Sequence, residues 1–308
     1  MTPSFSSRYS CPLARFHLKL DSTEATLNGM FSHHSKRTLN CLWLFLIVWI
    51  NPSDAFAQTL NYFKVKAEIV ETRLETCPSR ISERRERLKQ LFMEVGCQGP
   101  YLKEQRVRRS RFNVICTLEG ESDSTIIIGA HHDKARNGDG VVDNWSGASL
   151  LPSLYEALKS DQRQHTFVFI GFTDEEKGLI GSKHFVKSLS KEEKEEIKAM
   201  INLDSLGLSY TKLWWNEAGQ DMVNTIAGVA DQMGLEVSGV DPSRVGGGDN
   251  ESFEKLGIPA LMVHSVTEEK LKILHSRHDN LKAIQMDDYY DTYRLLAAYL
   301  SYLDSNPE

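Results

Sequence analysis

Histidines and carboxylates gather in this sequence just after short apolar runs. Thr125-Ile-Ile-Ile-Gly-Ala130 leads into His131-His-Asp133, His165-Thr-Phe-Val-Phe-Ile-Gly-Phe172 leads into Thr-Asp-Glu175-Glu176, and Ala199-Met-Ile-Asn-Leu203 leads into Asp204. Asp143, in Val-Val-Asp143-Asn-Trp-Ser-Gly-Ala, and His275, in Leu-His275-Ser-Arg-His278-Asp279, extend the set. Imidazole nitrogen and carboxylate oxygen are the donors that hold zinc in an open, near-tetrahedral site. A carboxylate shared by two ions keeps them about 3.5–4 Å apart. Neighbours in an extended chain project to opposite sides, so one of Glu175 and Glu176 can bind metal while the other faces the reacting water. A single acid after a strand is more often a helix cap than a ligand. The joint pattern is what points to metal-assisted hydrolysis.

These residues need a scaffold that brings several strand ends to one rim. Two further apolar runs, Lys212-Leu-Trp-Trp215 and Pro259-Ala-Leu-Met-Val263, continue the series. Helices are expected between the runs at 147–159, 178–189, 191–198, 219–233 and 250–256, with a last one from Met286 to Leu303. Upstream, helices at about 61–75 and 79–95 precede a hairpin of Tyr101–Val107 and Phe112–Leu118. Short apolar runs separated by helices predict an α/β fold, a three-layer α/β/α arrangement around a central mixed, mostly parallel sheet. In such sheets ligands bind beyond the carboxyl ends of the strands, where the candidate residues stand.

Five stretches, in order, resemble the M28 zinc aminopeptidases: Gly-Ala-His-His-Asp133, Val-Asp-Asn-Trp-Ser-Gly147, Asp-Glu-Glu-Lys-Gly-Leu-Ile-Gly-Ser182, Asn-Leu-Asp-Ser-Leu-Gly207 and His275-Ser-Arg-His-Asp279. The resemblance implies the zinc-exopeptidase, phosphorylase/hydrolase-like fold, two Zn2+ per chain and a peptide substrate with a free N-terminus. It implies that His131 and Asp204 bind one zinc, Glu176 and His275 the other, and that Asp143 bridges them. Glu175 would then be the general base and Asp133 the carboxylate that orients His131. The choice of His275 over His278 follows the family spacing, in which the ligand stands four residues before the Asp. Arg244-Val-Gly-Gly-Gly-Asp249-Asn-Glu-Ser-Phe253 departs from the Ser-Asp-His segment usual there, so Asp249 is expected either to line the pocket or to cap a helix. Trp145 is expected as a substrate wall, His132 as a pocket-wall or surface residue, and His264 has no assigned role.

Rival chemistries leave different marks. No Gly-x-Ser-x-Gly elbow is present for a serine hydrolase, and His-Glu-x-x-His is absent. A glutaminyl cyclase-type acyltransferase is the closer alternative, with one zinc held by Asp, Glu and His on a similar fold. Carboxypeptidase or dipeptidase activity would share the metal set. Non-catalytic modules on such scaffolds usually lack ligands or the base, none of which is missing.

Composition is ordinary for a globular protein: 308 residues, 41% hydrophobic and 25% charged. The run Cys41–Ile50 follows Lys36 and Arg37 and precedes Ala55-Phe-Ala57, which reads as a signal peptide cleaved after Ala57, and Met30 supplies a second start of ordinary spacing. An uncleaved anchor is the alternative, but ten apolar residues fall short of the roughly 20 a span requires. Residues 1–57 are thus read as extension and signal, 58–308 as one peptidase domain, and the location as secreted or periplasmic. Removing residues 1–57 moves the net charge from -6 to -8, which argues against nucleic acid. The basic cluster Arg106-Val-Arg-Arg-Ser-Arg111 is expected as a solvated hairpin tip. Of Cys77, Cys97 and Cys116 at least one lacks an internal partner. A helix over 79–95 would hold Cys77 and Cys97 roughly 25 Å apart, and the pairing stays open.

Overall fold

The computed structural model describes residues 63–160, 162–215, 217–240 and 247–306; the expected leader and its cleavage site lie outside them. Strands β1 (Leu102–Arg108), β2 (Arg111–Leu118), β3 (Thr125–His131), β4 (Thr166–Phe172), β5 (Ile197–Leu203), β6 (Thr211–Trp215), β7 (Val237–Gly239) and β8 (Ala260–His264) form one sheet. Its order is β1-β2-β4-β3-β5-β8-β6-β7. The middle four, β4-β3-β5-β8, run parallel. β1, β2 and β6 pair antiparallel to their neighbours, and short β7 joins β6 in parallel. The sheet is mixed with a parallel centre, as the alternating apolar runs require.

Period-two alternation divides the central strands between two cores. Ile126, Ile128, Ala130, Phe167, Phe169, Ala199, Ile201 and Leu203 face the larger core, together with helices α1 (Ala67–Glu75), α2 (Ile81–Glu94), α3 (Ser146–Leu158), α6 (Gln220–Met233) and α8 (Met286–Ser305). Ile127, Ile170, Phe172 and Met200 face the smaller one, with Phe185 and Val186 of α4 (Ile180–Ser188) and Phe253 of α7 (Glu251–Glu254). Helices on both faces make three layers. Burying both faces explains why these strands read as continuous apolar runs.

Two expectations shift. The helix placed over 191–198 is α5 (Lys191–Glu196) and stops at Glu196, because β-branched Ile197 is buried and opens β5 beside β3. Strand β7 was not foreseen; three half-exposed residues carry too little alternation to be read. The open cysteine question resolves as Cys97–Cys116, with Cα atoms 6.3 Å apart, tying the end of α2 to β2, while Cys77 is free. Among the described residues no helix is long and apolar enough to cross a membrane.

Candidate active site

Since β3 has β4 on one side and β5 on the other, the three carboxyl ends surround a topological switch point. His131 is the last residue of β3, Glu175 and Glu176 sit in a single 3-10 turn after β4, and Asp204 follows β5 directly. Asp143 lies in the turn Val141–Trp145 that enters α3, and His275 in the loop after β8. Four elements and a loop thus meet on one cavity of about 350 Å³, whose wall also includes Met262, Val266, Leu271 and Leu274.

Within it Asp143 stands between two groups of ligand atoms. Its Oδ1 is 3.1 Å from His131 Nε2, which is 3.7 Å from Asp204 Oδ2. Its Oδ2 is 3.0 Å from His275 Nε2, which is 3.1 Å from Glu176 Oε2. His131, Asp143 and Asp204 offer atoms that all lie within 4.8 Å of one another, as do Asp143, Glu176 and His275. Glu175 Oε2 approaches His131 Nε2 at 3.9 Å from the side. His278 is exposed and belongs to neither group.

Backbone hydrogen bonds fix these positions. Val142 N and Asp143 N donate to the two oxygens of Asp279 at 2.7 and 3.4 Å, which aims the Asp143 side chain. Asn144 accepts from Gly147 N and Ser205 N and donates to Leu203 O, so the Asp143 turn and the end of β5 move as one. Gly147 is required there: a Cβ would lie 2.5 Å from Leu203 O. Arg84, fully buried, donates to the carbonyls of Pro78, Asp133, Asp139 and Gly140 and so holds the loop between His131 and Asp143. Asp133 Oδ1 accepts from Glu175 N at 3.1 Å and lies 3.5 Å from His131 Nδ1, at ion-pair distance without a hydrogen bond, so it stands between the imidazole and the turn of the candidate base.

The Glu175-Glu176 pair departs from the extended geometry expected of it. Asp174 adopts φ 55°, and its buried carboxylate is ion-paired with Arg108 at 2.8 Å, Lys177 at 2.9 Å and Arg111 at 3.5 Å. Three cations anchoring a left-handed residue turn the chain at once into the 3-10 segment. Glu175 and Glu176 consequently reach the same cavity from a turn rather than from opposite sides of a strand. The basic tip is therefore partly a structural clamp and not simply a solvated hairpin.

The charge balance shows what the site lacks. Burial pushes the Glu175 carboxyl up to about 9 and that of Asp204 up to about 7, against the pull of His131. Hydrogen bonding to Asp143 holds the His275 imidazole up at about 9. Burial works against the proton on His131, but Glu175, Asp133, Asp143 and Asp204 outweigh it and raise that imidazole too. Glu176 Oε1 is buried without a hydrogen-bond partner. Protons on the two imidazoles and on Glu175 and Asp204 are thus what relieves a crowd of carboxylates, and divalent cations that displace them fit both the donor types and the unpartnered oxygen.

Several residues stand elsewhere than expected. Trp145 is fully buried, its Nε1 donating to Arg73 O and Arg84 lying over its ring, so it is core packing and not a substrate wall. His132 is buried as well, with burial pushing its imidazole down to about 4, and is neither wall nor surface. Asp249 does not cap α7, whose N-cap is Asn250, nor does it line the cavity. It is a fully buried carboxylate with both oxygens unpartnered, and its charge contributes to raising Glu175. His264 is buried and its Nδ1 accepts from Val266 N, a structural role at the end of β8. Sequence reasoning missed Arg84, Asn144 and the apolar wall; Asp279 was visible only as the end of a motif.

The assembled geometry agrees with what the chain is similar to. An aminopeptidase of Bacillus subtilis, YwaD, is 29% identical over 174 residues, covering 53% of this chain and 37% of the relative. The chain spans about a fifth to two thirds of the length of the curated relatives it matches. Among solved structures, a zinc aminopeptidase from Bacillus subtilis superposes with a TM-score of 0.57 at 23% identity, over 61% of this chain and 49% of the other. A glutaminyl cyclase from Porphyromonas gingivalis superposes with 0.61 at 16% identity, over 76% and 95%. At these identities the two superpositions establish the fold. The sequence profile of peptidase family M28 matches residues 113–300, from β2 into α8 and across every residue of the cavity cluster, and the chain belongs to that family.

Proposed function

We propose that the protein is a two-zinc aminopeptidase that removes apolar N-terminal residues from peptides. The observation that carries this reading is the placement of Asp143, one oxygen toward His131 and Asp204 and the other toward His275 and Glu176. His131 and Asp204 would hold one ion, Glu176 and His275 the second, with Asp143 shared between them. When bound, the ions supply Lewis acidity, acidifying the attacking water and polarising the scissile carbonyl.

Glu175 takes the water's proton and passes it to the leaving amine. Its high proton affinity suits a base that must return its proton, and cations held beside Asp143 would lower that affinity. Asp133 fixes this base through the Glu175 N–H and orients His131 at the same time. Met262, Val266, Leu271 and Leu274 form an apolar wall for the side chain of the residue removed. No lysine or arginine lines the cavity among the described residues, whereas carboxylates abound. Because those carboxylates are assigned to metal or to the base, it is the lack of a side-chain cation for a substrate's α-carboxylate that supports an aminopeptidase rather than a carboxypeptidase.

A one-zinc cyclase is the second reading, since a glutaminyl cyclase shares this fold over 76% of the chain. Counting zinc per chain and assaying a leucine anilide beside an N-terminal Gln peptide separates the two. Two ions and chelator-sensitive anilide hydrolysis are expected; one ion with release of a pyroglutamyl peptide would replace the proposal. Secretion or periplasmic location remains part of the proposal, supported by the apolar run 41–50, Ala55-Phe-Ala57 and the Cys97–Cys116 disulfide, which belongs in an oxidising compartment.

A further inference from the structure

A second cavity, of about 560 Å³, is larger than the first and opposite in charge. Arg80, Arg85, Arg111, Lys134 and Arg136 line it, and among the described residues no carboxylate does. Three separate segments supply these cations: the start of α2, the β1–β2 hairpin and the loop after β3. Ser79, Ser82 and Ser110 add hydroxyls to the wall. The first turn of α2 has no side-chain cap, so its free N–H groups add donors and the positive end of the helix.

Some of the positive charge is already partnered outside the cavity. Arg80 pairs with Glu83, Arg85 with Glu86 and Glu104, and Arg111 with Asp174. Lys134 donates only to the carbonyls of Ala135 and Gly138. Arg136 is exposed and has no ion pair among the described residues. Arg85, stacked 4.9 Å over Phe112, is held in place. Five cations, two of them without carboxylate partners among the described residues, and capless helix donors make an anion site.

Residues that line the basic cavity lie close in the chain and in space to residues that line the acidic one. Lys134 stands three residues beyond His131, which limits the separation of their Cα atoms to about 11 Å. Arg111 touches Asp174, the residue before Glu175. A peptide in extended conformation advances about 3.3 Å per residue, so its third or fourth residue beyond the scissile bond spans that distance.

We propose that this cavity binds carboxylates on the C-terminal side of a peptide whose N-terminus occupies the metal cavity, which makes peptides with acidic residues some three or four positions downstream the preferred substrates. The proposal rests on the aminopeptidase reading, and its test separates the two. Labelled peptides beginning Leu-Ala-Ala, followed either by Glu-Glu or by Gln-Gln and with a C-terminal amide, are titrated into zinc-loaded Glu175→Gln protein and followed by fluorescence anisotropy. The acidic peptide is expected to bind about five- to tenfold more tightly. The ratio should fall to about one in a variant that also carries Arg80→Ser and Arg136→Ser, in which the serine at position 80 supplies a helix cap and protects the fold.

Equal binding of the two peptides, or a ratio untouched by the arginine changes, overturns the subsite. A third peptide, Gln-Gln with a free C-terminal carboxylate, reports whether side chains or the chain terminus supply the anion; tight binding of this peptide alone overturns the preference for acidic side chains. The same pairs are then assayed with enzyme bearing Glu175. Arginine-dependent binding without hydrolysis of either peptide would overturn the aminopeptidase reading and leave the anion subsite standing.

Discussion

The acidic cavity at the ends of β3, β4 and β5 and the basic cavity beside the start of α2 are linked by one loop, yet they manage charge in opposite ways. In the first, His131, Asp143 and Asp204 are buried, and the carboxylates coexist only by holding protons or by sharing cations. In the second, Arg80 and Arg136 are exposed, and water and nearby glutamates screen them. Buried like charge makes a bound counter-ion a condition of stability, while exposed like charge leaves a surface free to choose ligands. The loop from His132 to Gly140 runs between His131 and Asp143 of the first and supplies Lys134 and Arg136 to the second, and Arg84 is the buried group that holds it.

That contrast can be broken most severely at Asp143. Asp143→Ala removes the carboxylate shared by both ligand groups, and zinc should fall below one ion per chain with turnover down by about a thousandfold or more. Metal analysis beside anilide hydrolysis checks this, and a variant that kept two ions would separate the two groups. Next is Arg84→Met, which strands the carbonyls of Pro78, Asp133, Asp139 and Gly140 in the interior. A loss of about 3 kcal/mol or more in urea unfolding is expected, with zinc affinity weakened as well.

Cys97→Ala with Cys116→Ala sharpens the comparison instead. The crosslink closes a loop of 19 residues between the end of α2 and β2, elements that line the basic cavity near Arg80 and Arg111 and do not line the acidic one. About 3 kcal/mol of stability should be lost while zinc content stays the same. Loss of zinc together with stability would show that the two cavities are not independent.

The smallest effect is a pH dependence confined to the metal-free protein. Burial holds protons on Asp204 up to about 7 and on Glu175 up to about 9, whereas unfolded carboxyls release theirs near 4. His275, raised to about 9 by its bond to Asp143, likewise keeps a proton that the unfolded chain loses near 6.5. These groups bind more protons in the folded chain, whereas buried His132 and His264, pushed down to about 4, bind fewer below about 6.5, so stability falls as pH rises from about 6.5 to 9. Asp143 and Asp133 are shifted down and act only at more acidic pH. Thermal unfolding should move down by several degrees across that range without metal and stay level with zinc present.

The same contrast explains what could be read from the sequence. Four of the acidic-site residues stand at the end of an apolar run: Ile126 to Ala130 before His131, Phe167 to Phe172 before the glutamates, Met200 to Leu203 before Asp204. Parallel strands buried on both faces leave long apolar runs, and an acid or imidazole at the end of one is conspicuous. The assignment of each residue to a particular ion came from resemblance, since spacing alone does not say that Asp143 faces both groups. Trp145 was misplaced because an indole reads the same whether it walls a pocket or packs over Arg73 and under Arg84. The basic cavity was illegible because Arg80, Arg111 and Arg136 lie on a helix start, a hairpin tip and a loop, none with a period, and only the fold brings them together. The turn at Asp174 was hidden for a related reason: its three cations come from positions 108, 111 and 177.

The account stands or falls on whether Glu175 moves protons or holds metal. The direct measurement is zinc content and turnover of Glu175→Gln, purified beside the unaltered protein and assayed on the leucine anilide. The account predicts two zinc ions per chain in both, with hydrolysis by the variant reduced by about a thousandfold. Full turnover in the variant, or loss of an ion with the activity, would contradict it.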